Sequence, residues 1–420
     1  MRMTMAEKIL ARASGRTKVA PGEIVMGKID RLMIIGEIWP EILSLLTKLG
    51  ADRLWNPDRV VVVHEHMAPP ANVPIADAFV KSRQAVEKFG IKNFYEMGRS
   101  GICHQLFVEK GFALPGQLVV GTDSHTTTYG ALNVASRGIN QDLPYVLMRG
   151  ELWFRVPETI RFEVSGKLPD AVMSKDIFLF IAGEYGTDVA LYKSVEFVGP
   201  TVAEMSIASR LTISNMGIEI GAKFLIFEVD EKTQEYLKDK TQEPYEPVKS
   251  DPDAVFESTY KIKVDQLEPQ VACPHDVGNV KPVREVKGIP IDQAFLGSCT
   301  NARYEDLEIA AKILKGKKIH PKIRLIVTPA SQSIYKQALQ KGLIEVFIDA
   351  EAVVTNPTCG ACGGLHLGIL GAGERCISSQ NRNFKARMGS PESEVYLASP
   401  ATVAASAIAG AIADPRDYLQ

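Results

Sequence analysis

Two cysteines three positions apart, Cys359 and Cys362, lie in the glycine-rich stretch TNPTCGACGG, residues 355–364, just after a β-branched run. A CxxC pair admits a redox couple, a structural zinc or an iron-sulfur cluster, and alone it does not separate them. A third cysteine narrows the choice. Cys299 falls in GSCTN, residues 297–301, where an expected strand ends and a helix begins. Three thiolates could take zinc with His366 as fourth ligand, in the spacing Cys359-x-x-Cys362-x-x-x-His366. They could be ordinary buried thiols, although glycine and asparagine neighbours argue for exposed turns. Or they could hold a cubane cluster with one iron not bound by protein, open to a substrate oxygen and able to act as a Lewis acid.

Histidine is scarce, seven in 420 residues, yet His64, His66, His104 and His125 fall directly after strands or in turns. A lone histidine is more often structural; the grouping marks these. Asp123-Ser124-His125 follows a strand, which puts a carboxylate and an imidazole at a sheet's carboxyl end, where α/β proteins bind ligands and paired groups tune each other's pKa. Glu65-His66 after RVVVV repeats that logic. Asn215 and Glu219, four apart, share a helix face, which in itself suits a solvated polar stripe equally well. QNRNFKAR sets Arg382 and Arg387 beside Asn381 and Asn383 on a turn-like segment. Two guanidinium forks suit two carboxylates, or else form a basic surface loop.

Positioning these groups requires several sheets. Arg59–Val63, Leu118–Val120, Ala294–Leu296, Ile323–Val327 and Ala352–Thr355 read as buried strands alternating with helical patterns at Tyr304–Lys315 and Ser331–Lys341. The fold class is α/β with largely parallel sheets. Thr201–Ile220 predicts one long helix opening on the capping box Thr201-x-x-Glu204 and ending before Gly221. Asp230–Glu257 reads as a polar surface excursion and Pro269–Arg284 as a linker, while Ser399-Pro400 predicts the start of an alanine-rich helix.

With 48 basic and 50 acidic residues the formal charge is −2, and no run of like charge points to nucleic acid or to a membrane surface. Neither a leader h-region nor 18 consecutive apolar residues is present, so the expected location is cytoplasmic. Six scattered cysteines in such a chain suit thiols used as ligands or core rather than a disulfide scaffold.

GSCTN, NPTCGAC, QNRNFKAR, GTDSHT and NMGIEIGA, taken in combination and order, resemble the aconitase superfamily, in its large-subunit type found among isopropylmalate isomerases and homoaconitases. The resemblance runs from AEKILARASG to YLASPATVAASAIAGAIADPRD. It implies three α/β/α domains around a [4Fe-4S] cluster, expected here at 1–155, 156–280 and 281–420, with Cys299, Cys359 and Cys362 as the ligands. It further implies catalytic roles for Asp123, His125, Glu65, His66, His104 and Glu219. Ser124, Asn215, Asn381, Arg382 and Arg387 would bind the substrate. Glu65 stands where the family has aspartate, and Tyr129, Asn133 and Gln380 depart from the isomerase pattern, which marks the chain as divergent within the type.

Such a constellation fits dehydration and rehydration of a hydroxy acid: the open iron takes the hydroxyl, a base removes the neighbouring proton and arginines stabilise the aci-carboxylate. The chain ends where single-chain aconitases continue into a mobile fourth domain, so the resemblance implies a separate small subunit supplying the base and the specificity loop. Isopropylmalate leads as substrate, with citrate, homocitrate or a methyl-substituted malate as alternatives. Two readings of other classes are an RNA-binding regulator without cluster, which the near-neutral charge disfavours, and a zinc-stapled scaffold.

Overall fold

The computed structural model describes residues 2–419. Three principal sheets carry the architecture. The first has five parallel strands in the spatial order Asn93–Tyr95, Val60–Val63, Arg31–Ile35, Leu118–Gly121, Ala135–Gly138. Both faces are covered, which is why its central strands are continuous apolar runs. All four valines of Val60–Val63 are fully buried, each stabilising by about 1.5–3 kcal/mol.

The second sheet is also all parallel: Phe224–Phe227, Ser194–Val198, Thr159–Ser165, Ser258–Lys263. The third has seven strands in the order Val280–Pro282, Gln270–Ala272, Glu394–Ala398, Arg375–Ser378, Gln293–Leu296, Arg324–Val327, Val353–Val354. It is parallel except where Gln270–Ala272 meets its two neighbours. A two-stranded antiparallel ribbon pairs Ile24–Lys28 with Glu151–Arg155. Among the described residues no helix is long and apolar enough to cross a membrane.

Three local expectations are corrected. Pro269–Arg284 is no linker: Gln270, Val271 and Ala272 are buried in the third sheet, and the Gln270 N–H donates to Asp176 Oδ1 at 2.8 Å. The helix expected over 201–220 is broken into Pro200–Glu204, Ile207–Met216 and a 3₁₀ turn, Gly217–Ile220. Ser206 is the reason. Its hydroxyl accepts from the Ser209 N–H at 3.1 Å and donates to Glu305 at 2.7 Å, so it starts a new helix, whereas the Thr201 hydroxyl donates away to the Gly166 carbonyl. Within Asp230–Glu257 a short helix, Glu231–Leu237, is capped by Asp230, and Ser250 is buried.

Elsewhere the caps follow the sequence. Asp306 accepts from the Arg303 N–H and starts the helix Tyr304–Leu314, and Ser331 caps Gln332–Gln340. A further helix, Leu343–Asp349, intervenes between Gln332–Gln340 and the strand Val353–Val354. Ser399 precedes the helix Pro400–Ala409, whose small residues let it pack closely on Tyr304–Leu314 and on the strand Gln293–Leu296.

Candidate active site

The Asp123 turn is held by close backbone packing. Residues Ser124–Leu132 form a 3₁₀ segment whose Gly130 lies so near the strand Phe224–Phe227 that a Cβ would sit 1.7 Å from the Leu225 carbonyl oxygen. Only glycine permits that approach. The turn therefore projects its polar residues to one place at the carboxyl edge of the first sheet.

Asp123 is the hub of that edge. Its Oδ1 lies 2.7 Å from His104 Nε2 and accepts from the His125 N–H at 2.8 Å, and its Oδ2 lies 3.4 Å from His66 Nε2. Burial opposes its ionisation, but hydrogen bonds from three histidines overcome this and hold the carboxyl well below the usual range. The reciprocal effect acts on the imidazoles. Burial would lower His66, yet Glu65 and Asp123 raise it well above its ordinary value, and Asp123 and Glu219 raise buried His125 likewise. His125 Nε2 sits 2.8 Å from Glu219 Oε1, and the same oxygen accepts from Arg382 Nε at 2.7 Å. Arg382 Nη1 donates to Ser124 Oγ at 3.0 Å. Residues from three distant parts of the chain thus form one connected network.

Glu65 is fully buried. His66 Nδ1 is 2.5 Å from its Oε1 without hydrogen-bond geometry, and the Cys103 and Cys359 thiols are close by. The Thr358 hydroxyl donates to the Glu65 carbonyl, tying the cysteine turn to the Glu65-His66 turn.

A cavity of about 190 Å³ brings together His66, His104, Asp123, His125, Cys299, Cys359, Cys362, Asn381, Arg382 and Arg387. Glu65, Ser124, Asn215 and Glu219 stand just behind that lining, in contact with its members. A larger recess, about 840 Å³, opens on the other side of the Asp123-Ser124 turn and contains no cysteine. The chemistry is concentrated in the smaller one.

Several tests bear on what the cysteines hold. All six cysteines are free. Asn215 Nδ2 donates to Cys299 Sγ at 3.1 Å, Asn381 Nδ2 lies 3.6 Å from the same sulfur, and Arg387 Nη2 approaches Cys362 Sγ at 3.7 Å. Donors aimed at sulfur suit sulfur that carries negative charge. The Cys359–Cys362 hydrogen bond raises Cys359 and lowers Cys362, the latter against the effect of burial and with help from Arg387. Ser298 beside Cys299 has φ +81°, a strained conformation for serine of the kind found at functional sites. Among the described residues the one acidic, imidazole and thiol trio whose ligand atoms all lie within 4.8 Å of each other is Glu65, His66 and Cys359. Cys299 and Cys362 are not members of that trio. His366 does not line the cavity, and its ring meets the His66 backbone instead, which disfavours the zinc alternative.

One histidine grouped with these by sequence stands apart. His64 stacks on Phe79 with centroids 4.1 Å apart and is held between Glu96 and Ser82, so its ring belongs to the core. The departures from the isomerase pattern also resolve individually. Asn133 donates to the Phe227 and Val248 carbonyls and accepts from the Val248 N–H, a staple for the 230–257 excursion. Gln380 donates to the Arg382 carbonyl, and the Tyr129 hydroxyl lies 3.2 Å from His104 Nδ1. Sequence reasoning missed Thr300, whose hydroxyl donates to Asn215 Oδ1 at 2.7 Å, and Arg303, which donates to the Cys299 and Thr300 carbonyls. Their place within and just after GSCTN was the available signal.

Comparison with known proteins adds an independent line. The model of the aconitase family (aconitate hydratase) matches residues 56–288 and 276–410. The chain is 51% identical over 416 residues to the probable 3-isopropylmalate dehydratase large subunit of Methanothermobacter thermautotrophicus, covering 99% of each. It is 49% identical to 3-isopropylmalate dehydratase large subunit 1 of Methanopyrus kandleri, covering 100% of each. Against the large subunit from Aquifex aeolicus the identity is 48%, covering 100% of this chain and 98% of the other. Among solved structures, the holo form of Thermococcus kodakaraensis aconitase X aligns with a TM-score of 0.49 at 12% identity, covering 91% of this chain and 93% of the other.

Proposed function

This chain belongs to the aconitase family, and from that premise we propose that it is the large subunit of a cytoplasmic iron-sulfur hydro-lyase that isomerises 3-isopropylmalate by dehydration and rehydration. The carrying observation is that three cysteines, the Asp123 hub with its three histidines, and two arginines meet at one cavity. The names of full-length relatives support the substrate and imply a separate small subunit. Six free cysteines suit a reducing compartment.

Cys299, Cys359 and Cys362 would hold the cluster, proposed as [4Fe-4S] with one iron free of protein ligands, and when bound it supplies Lewis acidity for the departing hydroxyl. Arg382 and Arg387 present guanidinium groups at the cavity for the substrate carboxylates. Glu219 and Ser124 fix the Arg382 fork in orientation. His125, raised in pKa between Asp123 and Glu219, is placed to carry a proton to the leaving hydroxyl, and His66 and His104 keep Asp123 ionised. Neither arginine-borne binding nor this proton path provides a base for the carbon acid, so that base and the specificity loop are assigned to the small subunit.

The test is anaerobic copurification of both subunits, reconstitution with iron and sulfide, and an assay with 3-isopropylmalate. Activity is expected only when both chains are present, and brown colour and activity should fade together in air. Robust turnover by the large chain alone, or a colourless protein with one zinc per chain and full activity, would overturn the proposal.

A further inference from the structure

Beneath the loop that carries Asn381 and Arg382 lies a buried cation that the chemistry above leaves unused. Lys175, in the first turn of the helix Ser174–Tyr185, is fully buried. Its ammonium donates to the Ser379 carbonyl at 2.5 Å and to the Gln380 carbonyl. The helix does not explain it, because a cation at a helix N-terminus faces the positive end of the dipole. Neighbouring Asp176 does not neutralise it by contact either: that carboxylate accepts from the Met173 and Gln270 N–H groups, at 2.8 Å each. A buried ammonium without a contacting carboxylate is costly, and burial draws Lys175 down to about 7 against the opposing pull of Cys362. What offsets the cost is its grip on two adjacent carbonyls just past the strand Arg375–Ser378.

The two residues after those carbonyls are the ones that reach the site. Asn381 Nδ2 donates to Thr300 Oγ1 at 2.9 Å, and Arg382 makes its contacts with Glu219 and Ser124. The loop is also tied by its backbone, where the Ser379 N–H donates to the Phe295 carbonyl at 3.0 Å, and by side-chain bonds. Ser379 Oγ accepts from the Gly297 N–H and donates to the Asn301 carbonyl, which links the loop to the Cys299 turn.

We propose that Lys175 is a positioning residue for substrate binding: its ammonium clamps the Ser379 and Gln380 carbonyls and so fixes the register from which Arg382 meets the substrate carboxylate. The proposal rests on the reading that Arg382 binds substrate. A displacement of about 1 Å at a positioning group can cost on the order of 10²-fold, which sets the scale expected here.

The experiment uses the two-subunit enzyme with its cluster reconstituted. Lys175→Met removes the donors at similar length, and Lys175→Gln keeps a neutral donor. Lys175→Met should raise KM for 3-isopropylmalate roughly 10- to 100-fold with iron content retained, and Lys175→Gln should fall between it and the parent. In an Arg382→Ala background the same substitution should add less than about threefold, because its effect passes through the missing side chain. Amide hydrogen exchange across 379–383 should rise in Lys175→Met while the strand Gln293–Leu296 stays protected. Additive losses in the double variant, unchanged exchange, or failure of both lysine variants to fold would overturn the clamp. An unaltered KM in Arg382→Ala alone would instead sink the substrate reading, and the positioning role with it.

Discussion

Replacing Asp123 by asparagine keeps the shape of the hub and removes its charge. The carboxylate accepts from His104 and from the His125 N–H and faces His66, whereas a carboxamide has one acceptor oxygen and must turn an NH₂ toward a group that is itself a donor. Breaking one member of a buried charged pair costs about 3–5 kcal/mol. The Asp123 side chain is 19% exposed and an asparagine oxygen in the Oδ1 position keeps the bonds from His104 and the His125 N–H, so a loss of about 2–3 kcal/mol is expected. At about 2.1 cal/mol/K per residue over 420 residues, this lowers the unfolding temperature by about 2–3 °C.

The pH dependence gives the sharper test. Asp123 is depressed in the fold, so its contribution is present above the unfolded carboxyl value of about 3.9 and disappears as pH falls through the folded one. His66 and His125 are raised, so theirs is complete below about 6.5 and is lost as pH rises through their folded values. The stability gap between the parent and Asp123→Asn should be widest between about pH 4 and 6.5 and narrow on both sides. Thermal unfolding of the large chain across pH 3.5 to 9 measures it. A gap that is absent, or constant across that range, would refute the charged hub.

Two further changes address the cysteines and the helix break. Asn215→Ala removes the donor to Cys299 and leaves Thr300 without its acceptor, so the reconstituted protein should lose its visible absorbance in air several-fold faster than the parent, at a stability cost of about 1–3 kcal/mol. Equal bleaching rates would show that the amide does not protect that corner. Ser206→Ala deletes the cap of the helix Ile207–Met216 and the bond to Glu305, and should lower stability by about 1–2 kcal/mol, while Thr201→Ala, which caps nothing, should cost less.

Those two hydroxyls show where local sequence was informative and where it failed. Thr201-x-x-Glu204 and Ser206 both satisfy local helix-start chemistry, and the choice between them is made by partners far away in sequence, Gly166 for one and Glu305 for the other. The same holds for Gln270–Ala272: a three-residue strand in a proline-rich stretch carries too little periodicity to be seen, and its place is set by Glu394–Ala398 and by Asp176. By contrast, the motifs after strands were legible because a parallel sheet delivers every such turn to one edge. Spacing alone therefore put Asp123 and His125 at the edge of one sheet and Cys299 and Cys359 at the edge of another, and the joining of the two sets was implied by the resemblance.

What spacing could not supply was the sorting of like residues into different tasks. His64 and His66 lie just past the strand Val60–Val63, where the chain leaves the sheet and turns; one ring goes into the core against Phe79 and the other meets Asp123. Lys175 carried no signal at all, since a lysine in a helix's first turn reads as solvent-facing until the third sheet is laid over it. The residues proposed to touch substrate come from turns and are readable in sequence. The residues that hold those turns in register come from neighbouring layers, and they become visible only when the layers are assembled.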